Sequence, residues 1–134
     1  MELEPGLIGE YTTVVAESDT AAAIAGDSLP PVLSTPRLVS LLETTAHSAI
    51  EPYLTGDQTS VGVAVHLFHT AATPVGMQVR IRAELLEVDG RRLRFKVEAW
   101  DEVEQVAHGE HERFIIDGSR FAGRLEKKAQ SLKK

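Results

Sequence analysis

The sequence predicts an α+β fold in which a curved antiparallel β-sheet wraps around one long central α-helix. Three observations carry this. A single apolar three/four repeat runs from Leu38 to Tyr53. The apolar period then drops to two and stays there as far as Ile116. Turn sequences separate these later runs, and Asp89-Gly90 is the strongest of them. One helix cannot cover both faces of a five-stranded sheet. Curling the sheet around the helix is the economical solution, and it leaves an outer face or an edge for a second subunit.

The elements follow in order. Gly9–Glu17 contains Tyr11, Thr12, Thr13, Val14 and Val15, residues that favour a strand. Asp19–Pro31 holds Ala21–Ala23 and then Gly26, Asp27, Ser28, Pro30 and Pro31, which reads as a loop with one helical turn. Thr35 is placed as the N-cap of the long helix, with Pro36 at its first position, where a missing N–H costs nothing. Leu38, Leu41, Leu42, Thr45, Ala46, Ala49, Ile50 and Tyr53 form its buried face, and Pro52, Gly56 and Asp57 close it. Val61–Thr70 is the next strand. The strand from Val79 slips phase at Leu86, which predicts a bulge there. Leu93–Trp100, a turn near Asp101–Gln105 and a strand over Val106–Ile116 complete the sheet. The basic run from Arg120 to Lys134 is a tail, left open between helical and mobile.

A chain of 134 residues, with 43% hydrophobic and 25% charged residues, is expected to be one domain with its own core. The net charge of −6 argues against a generic nucleic-acid binder, and the basic tail holds a single aromatic, Phe121, rather than an interleaved set. There is no cysteine, which removes disulfides, a thiol nucleophile and thiolate metal sites and suits a cytoplasmic protein. No membrane span or signal peptide is expected. The spacing of His and acidic residues predicts no metal site. His66 and His69 fall on opposite faces of one strand, as do His108 and His111. The nucleophile-elbow serine and the glycine-rich nucleotide-binding motifs are missing as well.

Two residues are placed where chemistry would need them. Glu43 lies near the edge of the apolar helix face, where partial desolvation would suit a general base. A solvated helix glutamate bonded to His47 at i+4 explains the same position. His69 ends a strand beside a Pro/Gly break, well placed to face a cleft, although an ordinary surface histidine fits there too.

The segments Leu41-Leu42-Glu43-Thr44-Thr45-Ala46, His69-Thr70-Ala71-Ala72-Thr73-Pro74-Val75-Gly76, Asp89-Gly90-Arg91-Arg92-Leu93 and His108-Gly109-Glu110-His111-Glu112-Arg113-Phe114 together resemble the fluoroacetyl-CoA thioesterase-like branch of the hotdog-fold superfamily. The resemblance spans roughly residues 33 to 116. It implies a hotdog fold, an acyl-CoA substrate, hydrolysis of its thioester and a homodimer with active sites at the subunit interface. No cofactor is implied, since coenzyme A is part of the substrate. The resemblance places the catalytic set on Thr35, Glu43 and His69, and Gly62 and Arg113 near the acyl group or coenzyme A. Attack on the thioester would come from water or from the glutamate itself, with the histidine and threonine orienting it. Leu29 stands where the fluoroacetyl-specific members carry an aromatic lid residue, and its loop has no Phe, Tyr or Trp. This leaves open another short acyl group or a lid that works differently.

The residue types suit the chemistry. A thioester carbonyl needs a base or nucleophile and donors for the developing oxyanion. Glu43 can be the first. The Thr35 hydroxyl, beside free N–H groups at a helix start, can donate. Two other readings keep the same fold: a non-catalytic binder of acyl-CoA or another small ligand, and a hydratase or dehydratase acting at the acyl Cα and Cβ. His47 has no assigned role.

Overall fold

The computed structural model of the protein describes residues 2–132. Strand β1 (Ile8–Val14) is followed by a short helix, α1 (Ala21–Ala25), and the long helix α2 (Thr35–Ile50). Four strands come next, β2 (Gln58–His69), β3 (Gln78–Asp89), β4 (Arg92–Asp101) and β5 (Gln105–Asp117), and then a terminal helix, α3 (Gly118–Gln130). The strands form one antiparallel sheet in the order β1-β3-β4-β5-β2. The basic tail is therefore helical over α3, and its last two lysines lie outside the described residues.

Helix α2 starts one residue earlier than its sequence suggests. Ser34 is the N-cap. Its backbone is extended, and its Oγ accepts the Arg37 N–H at 3.1 Å. Thr35 is the first helical residue rather than the cap, which releases its hydroxyl for another use. The regular helix ends at Ile50, and a 3-10 turn over Glu51–Tyr53 carries the chain out, with Pro52 preventing another α-helical turn.

The core forms where α2 meets the inner face of the sheet. Leu38, Leu41, Leu42, Ala46 and Ile50 pack against Val79, Ile81, Ala83 and Leu85 of β3 and Leu93, Phe95, Val97 and Ala99 of β4. The strand residues alternate, as the period of two requires. Each fully buried large aliphatic side chain contributes about 1.5–3 kcal/mol, so this interface dominates the stability of the fold.

Asp89-Gly90 makes the β3–β4 turn, with Gly90 at φ +61°, a value glycine adopts without strain. The β4–β5 turn is an Asx turn: Asp101 Oδ1 accepts N–H groups from Val103 and Glu104 at 2.8 and 3.0 Å. The expected bulge at Leu86 is present, because the register shifts between Leu85 and Glu87. A second bulge, between Gly62 and Ala64 of β2, has no counterpart in the sequence analysis.

The outer face of the sheet is polar over much of its width. Arg80 pairs with Glu10, Arg92 with Glu112, and Arg94 with Glu87 and Glu110. The edge strand β2 differs. Val63 is 51% exposed, and Val65 and Phe68 are also exposed, so of the two surfaces suggested for a second subunit the apolar one is the edge.

Candidate active site

The six residues singled out from the sequence fall into two groups and one outlier. The first group lies where the start of α2 meets the end of β2. Thr35 Oγ1 and His69 Nδ1 are 2.8 Å apart. His69 is partly buried, and that desolvation lowers its pKa, so the neutral imidazole is favoured. Its Nε2 is the buried side-chain polar atom left without a hydrogen-bond partner among the described residues. His66, on the same strand, lies on the other face, against the Phe68 ring.

The second group lies two turns further along α2, about 12 Å by helix rise. Glu43 stands at the margin of the buried helix face, its side chain 38% exposed, with Oε2 3.7 Å from Arg113 Nη1. Gly62 faces it. A Cβ at position 62 would collide with Glu43 Oε2, so the glycine lets the carboxylate lie this close to β2.

Arg113 is the most heavily constrained side chain of the site. Its Nε donates to Ser60 Oγ at 2.7 Å, its Nη2 to the Ser60 carbonyl at 3.0 Å, and its Nη1 reaches His111 Nε2 at 3.2 Å. His111 Nδ1 in turn lies 2.8 Å from the Ala64 carbonyl, at the β2 bulge. A carbonyl can only accept, so Nδ1 carries the proton and Nε2 offers a lone pair to Arg113. Burial first, and the neighbouring Arg113 charge second, lower the His111 pKa and keep the ring neutral. Ser60 Oγ, which accepts from Arg113, also lies 2.6 Å from His47 Nδ1. The His47 pKa is lowered by burial and by Arg113, so a neutral ring accepts the Ser60 hydroxyl proton.

Ser60 and His111 were not singled out from the sequence, and His47 had no role assigned there. The signal was present. Ser60 and Gly62 share one face of β2 by the period of two, and His111 and Arg113 share one face of β5.

Leu29 is the outlier. It is 40% exposed in the loop before α2, its N–H bonded to the Gly26 carbonyl at 3.0 Å. Among the described residues no group of three or more His, Cys, Asp or Glu side chains is arranged to hold a metal ion. No helix is long and apolar enough to cross a membrane.

Comparison with known proteins places this fold. The chain is 40% identical over 99 residues to a fluoroacetyl-CoA thioesterase from Streptantibioticus cattleyicolor, covering 74% of this chain and 71% of that protein. A solved structure of the fluoroacetyl-CoA thioesterase FlK superposes with a TM-score of 0.90 at 33% identity, covering 96% of this chain and 98% of that one. A Thermus thermophilus member of the thioesterase superfamily gives a TM-score of 0.89 at 24% identity, over 97% and 96% of the two chains, a likeness of fold alone. The sheet wrapped around α2 is the hotdog fold of these thioesterases. The model of the family "fluoroacetyl-CoA-specific thioesterase" matches residues 15–119, a span that holds Thr35 and His69 as well as Glu43, Gly62 and Arg113, and the chain belongs to that family.

Proposed function

We propose that the protein hydrolyses a short-chain acyl-CoA at an active site assembled from two protomers. The activity class is that of its family: an acyl-CoA thioester is cleaved to free acid and coenzyme A. The observation that carries the shared site is the separation of its halves. Thr35 and His69 are bonded to each other, Glu43 stands about 12 Å along the helix, and β2, beside both groups, is an open apolar edge.

A strand that pairs antiparallel with its own copy brings its last residues beside its partner's first. Pairing β2 in this way sets His69 and Thr35 of one protomer toward Gly62 and Glu43 of the other. It also covers Val63 and gives the His69 Nε2 a neighbour. Isologous pairing makes two such sites.

In this arrangement Glu43 takes a proton from water as the water oxygen attacks the thioester carbon. The carbonyl electrons move onto oxygen and then return as the C–S bond breaks. The sulfur leaves with the electron pair and takes up the proton. Arg113 keeps a positive charge beside Glu43, and Thr35 fixes the His69 tautomer so that its Nε2–H is free to donate. Direct attack by Glu43 would instead form a glutamyl anhydride as the C–S bond breaks and the coenzyme A thiolate leaves, and water would then open the anhydride. Leu29 is proposed to border the acyl group, with an aliphatic wall where an aromatic lid would stand. FlK has been crystallised with fluoroacetate and coenzyme A, in a structure that matches with a TM-score of 0.85 at 35% identity. The proposed location is the cytoplasm.

The test is thiol release from acetyl-, fluoroacetyl-, short-chain, branched and aryl-CoA, with Glu43→Gln and His69→Ala beside wild type. Each variant alone should lose about 10²–10⁴-fold in kcat. Mixing the two dead variants through unfolding and refolding should restore about a quarter of wild-type activity, because half the dimers are mixed and each holds one intact site. No recovery on mixing would place the whole site within one protomer. Wild-type rates in Glu43→Gln would remove Glu43 from the chemistry.

A further inference from the structure

We infer that the cavity between α3 and the sheet is the seat of the nucleotide end of coenzyme A, with its 3′-phosphate and diphosphate. This rests on the acyl-CoA reading above.

The cavity measures about 600 Å³, and its wall includes Arg91, Arg120, Arg124, Lys127, Asp117 and Phe114. Four cations thus face one carboxylate, in a chain whose net charge is −6. Asp117 is shared between Arg91 at 3.3 Å and Arg120 at 3.9 Å, while Arg124 and Lys127 make no ion pair among the described residues. Arg120, Arg124 and Lys127 follow one another at the three/four spacing, so they line one side of α3. Like charges at that spacing weaken an isolated helix, and among the described residues Asp117 is the one ion-pair partner of this stripe, through Arg120. A coenzyme A thioester supplies about four negative charges at neutral pH, counting the 3′-phosphate and the diphosphate.

Two further features fit a nucleotide. Phe114 is 40% exposed on the face of β5 opposite Arg113, an aromatic floor on which adenine can stack. Gly123 also lines the cavity, in the interior of α3. A Cβ there would meet no protein atom within 4 Å, so packing does not require the glycine, although it weakens the helix relative to alanine. Space for a bound ligand accounts for it.

The cavity also lies in the right place. A second cavity, of about 420 Å³, is lined by Glu43, His47, Thr59 and Arg113. Thr59 pairs across the sheet with Ile116, a wall of the cationic cavity. The reacting centre and the cationic seat therefore adjoin at the start of β2, where a pantetheine arm would connect them.

The experiment compares acyl-CoA, acyl-dephospho-CoA and the same acyl group on pantetheine, using wild type, the double variant Arg124→Glu/Lys127→Glu, and Gly123→Leu. KM for acyl-CoA should rise about tenfold or more in the double variant with kcat unchanged, while acyl-pantetheine shows no change. The wild-type preference for coenzyme A over dephospho-coenzyme A should shrink with added salt. Gly123→Leu should raise both the melting temperature and the KM for acyl-CoA. An unchanged KM, or an equal rise with acyl-pantetheine, overturns the seat. Calorimetric titration with adenosine 3′,5′-bisphosphate separates the two claims. Binding that the double variant loses supports the seat even without turnover of any acyl-CoA, and turnover with neither nucleotide binding nor a KM effect overturns the seat alone.

Discussion

The start and the middle of α2 carry the two groups of the candidate site, and the chain holds them very differently. Beside Glu43, Arg113 is fixed by Ser60 and His111, His111 by the carbonyl that the β2 bulge presents, and Ser60 by His47. At the Thr35 end, one hydrogen bond orients His69, and a buried ring nitrogen is left over. The first half is finished within the protomer and the second is not. A buried donor or acceptor without a partner costs free energy, so an incomplete half is tolerated only where something else completes it. On the proposed reading, the contrast separates residues that hold the fold from residues that a second protomer and a substrate would complete.

The sharpest way to break this contrast is Gly62→Ala. The added methyl must displace the Glu43 carboxylate, so kcat should fall by about 10²-fold or more with little change in melting temperature, because the collision is with a movable side chain. Retained activity would mean that the Glu43 position seen here is not the productive one.

His69 gives the next largest effect. Its pKa is lowered from the ordinary 6.5, so the neutral form that hydrogen-bonds Thr35 persists below that value. The acid limb of kcat/KM should therefore lie below pH 6.5 and should move up toward 6.5 in Thr35→Val if the threonine favours the neutral ring. A limb that stays in place would limit Thr35 to contact with substrate.

A comparison of stabilities sharpens the same point. His111→Leu leaves the Ala64 carbonyl and one Arg113 N–H without partners and should cost about 1–3 kcal/mol, whereas Thr35→Val should cost much less. The pH dependence has a definite sign. The folded-state pKa of His111 is below its unfolded value, so the unfolded chain binds the extra proton first, and stability falls as pH drops through about 6.5. His111→Leu should flatten that fall as measured by thermal melts.

The smallest expected effect is at the helix start. Ser34→Ala removes the N-cap and should cost about 1 kcal/mol, or about 4 °C, without changing kcat. Thr35→Ala should do the reverse. If Thr35→Ala is the one that melts early, the assignment of cap and hydroxyl is inverted.

Much of this architecture was legible along the chain. The α2 face from Leu38 to Ile50, the alternating strands, the bulge at Leu86 and the Asp89-Gly90 turn all follow from local periodicity and turn chemistry. The boundaries were less legible. Ser34 and Thr35 are both good caps, and only the Arg37 N–H bond to Ser34 distinguishes them. The tail after Asp117 reads as a run of charge, yet it folds as α3, with Asp57 Oδ2 accepting the Ser119 N–H at 2.8 Å.

By itself the sequence determined which residue types were available for chemistry, which face of α2 is buried and which strands alternate, because each depends on near neighbours in the chain. The tertiary structure alone decided that β2 crosses to the far edge beside β5, that its bulge feeds His111 and Arg113, and that Thr35 meets His69 while Glu43 does not. These are pairings between distant segments, set by how sheet and helix pack as a whole, and a periodicity read along one segment carries no information about the segment it will lie against.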